Sequence, residues 1–254
     1  MTLIRAFFIN KNLTINTFSL FSLNALNFLI SIIILPKLID IFGVNGWGKI
    51  TFFQIIINYF IWIIDWSFPQ YACKQISAHE CDRNKRKYIF ITTRTSQLIL
   101  FLISSITLIL LSIISGNNKT IFIYSIFILF GSFLQSYWYL NGREKNYETA
   151  LFQLFNRLLF TLFIFNYLSV GDDISLYFLY FGLASLTTGV LLNLLIKTKY
   201  REELKIGRLN NSIKQIKKCS MLFSSSIIGN LTNSFIPFII SSFYSLDSVG
   251  IYNI

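Results

Sequence analysis

The sequence predicts an all-α membrane protein, a polytopic helical bundle, on three observations. Hydrophobic residues make up 54% of the 254 and charged ones 13%, with a mean hydropathy of +0.60. That leaves too little polar surface for a water-soluble domain. Apolar runs of about 20 residues, the length a helix needs to cross a bilayer, recur along the whole chain. The positive charges gather between those runs, in alternate connections. A net charge of +11 distributed in that way speaks of membrane topology and not of nucleic acid.

Seven runs qualify, at 13–36, 50–71, 89–115, 120–140, 150–170, 176–196 and 219–243. Of the 22 Lys and Arg, 17 precede the first run or lie in the second, fourth and sixth connections. The other connections carry Lys37, Lys49 and Lys119, with the acidic Asp172, Asp173 and Asp247. By the positive-inside rule the N-terminus is cytoplasmic. The connection 197–218 is the longest and most basic, and it reads as a solvated cytoplasmic segment near anionic headgroups. It divides a six-span N-terminal lobe, 1–196, from 219–254, the seventh span and the start of an incomplete second lobe.

Polar residues inside spans are costly, so their placement is informative. Gln54, Asn58 and Asp65 share a face of the second span, and Gln153, Asn156, Arg157 and Thr161 form a stripe on the fifth. The first span carries Asn24, Asn27 and Ser31, and the seventh Ser226, Asn230 and Asn233. Such stripes face other helices or a wet cavity, as interhelical hydrogen bonds or as cavity lining. Arg157 lies roughly 13 Å into its span at about 1.5 Å per residue, too deep to snorkel with ease. A permanent cation at that depth wants an anion, in a cavity or in a structural ion pair. Asp65 and Arg94 each lie about 9 Å from the basic side and on neighbouring helices. They could close a gate together or be satisfied separately. Trp62, Trp66, Trp138 and Tyr139 read as an interfacial aromatic belt, with stacking on sugars as the alternative.

The stretches "IFGVNGWGKI" (41–50) and "SLDSVGIYNI" (245–254) each leave a span, turn, and re-enter, with Gly46 over Gly250 and Ile50 over Ile254. The spans before them pair Asn24 and Asn27 ahead of Pro36 with Asn230 and Asn233 ahead of Pro237. A parallel repeat of six spans is a transporter signature. It predicts that Ile254 falls in the first turn of an eighth span and that the chain is cut there.

The residues that carry a family resemblance are "LPKLIDIFGVNGWGKI", "IIDWSFPQYACKQIS", "SYWYLNGREKNYETA" and "VGIYNI". On them the chain resembles the polysaccharide (O-antigen) flippases of the multidrug/oligosaccharidyl-lipid/polysaccharide exporter superfamily. In the family's Asp-x-Gly-Phe element Ser67 stands where the Gly is usual, and Trp138, Gly142 and Glu144 resemble its aromatic-x-x-Gly-x-Glu element, with Asn141 where Gln is usual. The resemblance implies two lobes of spans in the bacterial inner membrane. It also implies alternating-access transport of a polyprenyl-pyrophosphate-linked repeat unit. The partners implied are that lipid-linked oligosaccharide, membrane lipids, and the polysaccharide polymerase with its chain-length machinery. A lipid pyrophosphate would suit Arg157, and Asp65 would be the carboxylate available for ion coupling.

Other functions fit less well. An enzyme working on lipid phosphates wants clustered carboxylates or a positioned acid/base pair. Asp172–Asp173 sit in a short outer turn and His79 in a basic loop. A multidrug or cation exporter of the same superfamily would want acidic cavities where Arg157 stands, and an inactive fragment is the remaining alternative. Cys73, Cys81 and Cys219 read as reduced thiols, and Cys73, His79 and Cys81 match no zinc spacing. No metal and no cofactor is expected.

Overall fold

The computed structural model describes the backbone of residues 2–202 and 205–243, and the side chains from 25 to 229 except 27, 117, 203 and 204. Its described residues form helices and no strands. Five stretches are long and apolar enough to cross a membrane: Phe28–Ala78, Arg83–Ile114, Lys119–Gly142, Asn146–Tyr167 and Ser175–Lys199. Their outward faces are apolar. On one helix Leu151, Phe155, Leu158, Leu162 and Phe165 are all exposed, in a seam along a single face. Water would demand polar groups there, so hydrocarbon is the solvent this surface fits. The protein is a multi-pass helical membrane protein.

The first helical stretch, α1 (Thr2–Asp65), has 64 residues. As one straight rod it would reach roughly 96 Å, about three times the hydrocarbon core. It is bent at Gly43, where φ is 69° and ψ 176°. That region is nearly closed to residues bearing a Cβ, so the hinge needs glycine. Ile34 and Leu38 before the hinge, and Ile50, Phe53 and Ile57 after it, pack into one core with Phe122, Leu129, Phe160 and Phe178. The two arms therefore fold back as a hairpin. They correspond to the first two expected spans, with the hinge inside "IFGVNGWGKI".

The second arm ends at a break. Trp66 and Ser67 take left-handed backbone, with φ of 41° and 58°. Helix α2 (Phe68–Ala78) then continues, with Phe68, Ala72 and Ile76 buried along one face. The connection expected at 72–88 is thus mostly helical, a correction whose cause is that apolar face. Only 79–82 remain as a turn, and Asp82 caps α3 (Arg83–Ile114) by accepting from the Lys85 amide at 3.1 Å.

Helices α4 (Lys119–Leu134) and α7 (Ser175–Lys199) approach most closely, through small residues. A Cβ on Gly131 would stand 2.5 Å from Ser185 Cβ, and one on Gly189 2.6 Å from Leu134 Cβ. The fourth span, expected unbroken at 120–140, is interrupted at Gln135–Ser136 and resumes as α5 (Tyr137–Gly142). A break in hydrocarbon frees carbonyls that must find other donors. Arg94 supplies one for Phe133 O, and the Asn193 amide one for Leu134 O at 2.7 Å. Side chains from α3 and α7 thus cap a broken helix from both flanks.

Helix α6 (Asn146–Tyr167) lies against α1 and α7. The last helix, α8 (Leu209–Phe243), begins well inside the connection expected at 197–218 and runs past residue 218 without a break. Ser212, Gln215 and Cys219 are buried on its inner face. Gln215 donates to Thr93 Oγ1 at 2.8 Å, and Ser96 Oγ meets Ser212 O and Gln215 Oε1, both at 3.2 Å. The Trp66 indole donates to Ile216 O at 2.9 Å and stacks on Phe223 at 3.9 Å. The segment read as solvated is therefore packed on its inner side.

The basic connections share one end of the bundle. Arg83 reaches Arg201 O at 3.4 Å, Lys199 pairs with Glu148 at 2.7 Å, and the Gly207 amide donates to Thr95 Oγ1 at 2.7 Å. At the opposite end Gly46 lies beside Ile174. Residues 244–254, with the expected re-entry at Gly250 and Ile254, lie outside the described residues.

Candidate functional site

A cavity of about 290 Å³ opens between the two arms of α1, α6 and α7. Ser31, Trp47, Gln54, Arg157 and Tyr177 bring its polar atoms, and Ile34, Leu38 and Phe160 are among its apolar lining. The hairpin explains why residues 23 apart in sequence, Ser31 and Gln54, meet here. Arg157 Nη2 donates to Ser31 Oγ at 2.7 Å, and Tyr177 hydrogen-bonds Gln54. Arg157 Nε and the Trp47 indole Nε1 are buried with no partner among the described residues. A guanidinium with one N–H unpartnered and an orphaned indole N–H share one cavity, with no carboxylate among the described residues that line it, and such a site suits an oxyanion.

Of the residues read from sequence as cavity lining, Arg157 is here. Asn156 turns to α7, where it accepts from Thr188 Oγ1 at 3.5 Å. Gln153 and Asn58 are half-buried and do not line this cavity. The side chains of Asn24, Asn27, Asn230 and Asn233 lie outside the described residues. Trp47 and Tyr177 were not anticipated. Aromatic residues near a span's end read as belt, and only the fold aims these two inward.

Asp65 and Arg94 are not paired with each other in this structure. Arg94 donates to Phe133 O and to Ser136 Oγ at 2.9 Å, and its guanidinium lies 4.3 Å from the Phe133 ring centroid. The free carbonyls of the α4 break hold it there. Asp65 lies in a separate pocket of about 150 Å³ with Trp62, Ser67, Gln70 and Ser226. Ser67 and Ser226 are bonded to each other at 3.2 Å, which ties this pocket to α8.

The "FPQYACKQIS" and "SYWYLNGREK" stretches pack on each other. Gly142 faces Cys73 O and Ile76, so closely that a Cβ would stand 2.9 Å from Ile76 Cβ. Trp138 and Tyr139 are buried, not an interfacial belt, because α5 is enclosed by α2, α3 and α7. Trp138 donates to Gln97 Oε1 at 3.3 Å, and Tyr139 to Glu202 Oε1 at 2.8 Å. Glu144 is exposed in the following turn, with φ of 57°. Nearby, Glu148 is buried and takes bonds from Lys199, Tyr200 and Tyr147. Burial, and then the Glu148 bond, push the Tyr200 phenol above its ordinary value. These contacts lock the basic ends of α5, α6 and α7 together.

A family model described as polysaccharide biosynthesis protein matches residues 13–254. The chain belongs to that family. No curated protein and no solved structure matches it. Membership of a polysaccharide biosynthesis family and the apolar helices together indicate lipid-linked sugar handling in a membrane.

Proposed function

We propose that the protein is a transporter, not an enzyme. In this reading it moves polyprenyl-pyrophosphate-linked repeat units of the O-antigen kind across the bacterial inner membrane by alternating access, with its N-terminus in the cytoplasm. The observation that carries the proposal is Arg157, its own Nε–H unpartnered, beside the orphaned Trp47 indole N–H in one cavity among the helices. A half-buried guanidinium with no carboxylate partner among the described residues favours a ligand that brings negative charge. Pyrophosphate brings it, with oxygens for several donors at once. A cationic drug would meet repulsion at the same place. Asp65, in its own pocket near the basic end, is the group available for ion coupling in this scheme.

The test is transport by the purified chain in proteoliposomes. A lipid-linked oligosaccharide is placed in one leaflet, and its glycan is probed by a glycosidase added outside. The glycan should change leaflet with the wild type and not with Arg157→Gln. Equal rates for the two would remove Arg157 from the mechanism.

A further inference from the structure

A second basic concavity lies at the basic end, between α2, α3 and α8, and shares no residue with the Arg157 cavity. Its volume is about 320 Å³, which falls in the roughly 300–1,000 Å³ range of small-ligand pockets. Three lysines line it: Lys85 from α3, and Lys214 and Lys218, one turn apart on α8. Tyr71, His79, Tyr88 and Asn211 are among its other polar lining residues, and no carboxylate is among the described residues that line it. Asp82 lies outside the lining and pairs with Lys85 at 3.7 Å, both side chains largely exposed. The Lys218 ammonium stands 5.4 Å from the Tyr71 ring centroid.

Like charges avoid one concavity unless something holds them there. Here the holding element is the buried seam beneath. Gln215, adjacent to Lys214, donates to Thr93, and Ser212 and Ser96 bridge the same two helices. The seam fixes Lys214 and Lys218 over the pocket whether or not an anion is bound. Leu209 and Ile213, on the same α8 turns, are exposed and apolar, as is much of Tyr88. The concavity therefore opens where apolar surface gives way to charge, at headgroup level.

We infer that this pocket binds a phosphate oxyanion, and that an anionic lipid headgroup supplies it. Lysines deliver point charge to a phosphate without demanding one orientation, and basic pockets between membrane helices suit such headgroups. Tyr71 and Tyr88 would flank the glycerol region. Bound phosphate would bridge α3 to α8 and so tie the last helix to the rest of the bundle. The inference stands independently of the transport proposal.

The test uses the full chain in phosphatidylcholine nanodiscs, titrated with phosphatidylglycerol or with inorganic phosphate, retained ligand being counted by native mass spectrometry. Lys214→Gln with Lys218→Gln should weaken binding by roughly tenfold to thirtyfold. Lys74→Gln with Lys197→Gln removes the same charge from exposed positions at the same end and should leave binding nearly unchanged. Both pairs are exposed, so helicity should persist, and Lys218→Arg should retain binding. Retention of phosphatidylglycerol against millimolar phosphate supports the lipid source. Phosphate binding lost in the pocket variant, without lipid retention, supports the oxyanion site with a soluble source. Equal weakening in the two double variants, or no binding of either probe, overturns the inference.

Discussion

Replacing Arg94 with methionine tests whether this residue is a helix cap or half of a gate. In the structure its guanidinium bonds Phe133 O and Ser136 Oγ and lies over the Phe133 ring. Methionine fills similar space and donates nothing. The Phe133 carbonyl then has no side-chain donor at the break, which costs about 1–3 kcal/mol for a group kept from water. The lost cation–π contact adds about 0.5–2 kcal/mol. Relief from holding a half-buried cation offsets part of this, so the net expectation is a loss of roughly 1–3 kcal/mol. Chemical unfolding of the purified chain in nanodiscs, followed by near-ultraviolet circular dichroism, measures it. The companion experiment is a double-mutant cycle with Asp65→Ala. Residues that share no partner should add within about 0.5 kcal/mol. A coupling above about 1 kcal/mol, or a loss for Arg94→Met below about 0.5 kcal/mol, would refute the capping role.

The close approach of α4 and α7 predicts that Gly189→Leu destabilises by at least about 1–3 kcal/mol, because its Cβ would stand 2.6 Å from that of Leu134. Gly229→Leu, with nothing within 4 Å among the described residues, should shift the thermal unfolding midpoint little. Tyr139→Phe removes the donor to buried Glu202, whose other oxygen already has no partner among the described residues. A loss of about 1–3 kcal/mol in unfolding free energy is expected, and no change would show that water replaces the phenol. The Lys85 amide, and then the Lys85 charge, hold the Asp82 carboxyl below its ordinary value. A depressed folded pKa means that the cap's contribution is present above the unfolded pKa and lost as pH falls through the folded one. Amide exchange at Lys85 should therefore quicken in acid in the wild type, and Asp82→Asn should remove that acid dependence.

How much was legible beforehand follows from where each structural cause resides. The third, fifth and sixth spans announce themselves by run length, because a long apolar helix facing hydrocarbon needs no partner to be specified. The hinge at Gly43 was visible as a turn, since "IFGVNGWGKI" carries its own punctuation. The breaks at Trp66–Ser67 and Gln135–Ser136 were not. Their flanks are apolar, and the groups that make them tolerable, Ile216 O, Arg94 and Asn193, come from helices distant in sequence. The start of α8 was hidden by its lysines. Its inward Ser212, Gln215 and Cys219 recur at helical spacing, and that recurrence was the signal available. Arg157 was legible from depth alone. Its neighbours Trp47 and Tyr177 were not, because only the hairpin and the α6–α7 packing bring them to it.

The most direct measurement is binding of a short-chain polyprenyl pyrophosphate to the nanodisc-held chain, by isothermal titration, for wild type, Arg157→Gln and Trp47→Phe. A charge-assisted hydrogen bond contributes about 1.5–3 kcal/mol, so Arg157→Gln should weaken binding by roughly tenfold or more. Trp47→Phe, which removes one neutral donor, should weaken it by about fivefold. Unchanged affinity in Arg157→Gln would mean that the intramembrane cation does not meet the pyrophosphate, and the oxyanion cavity would have to be abandoned.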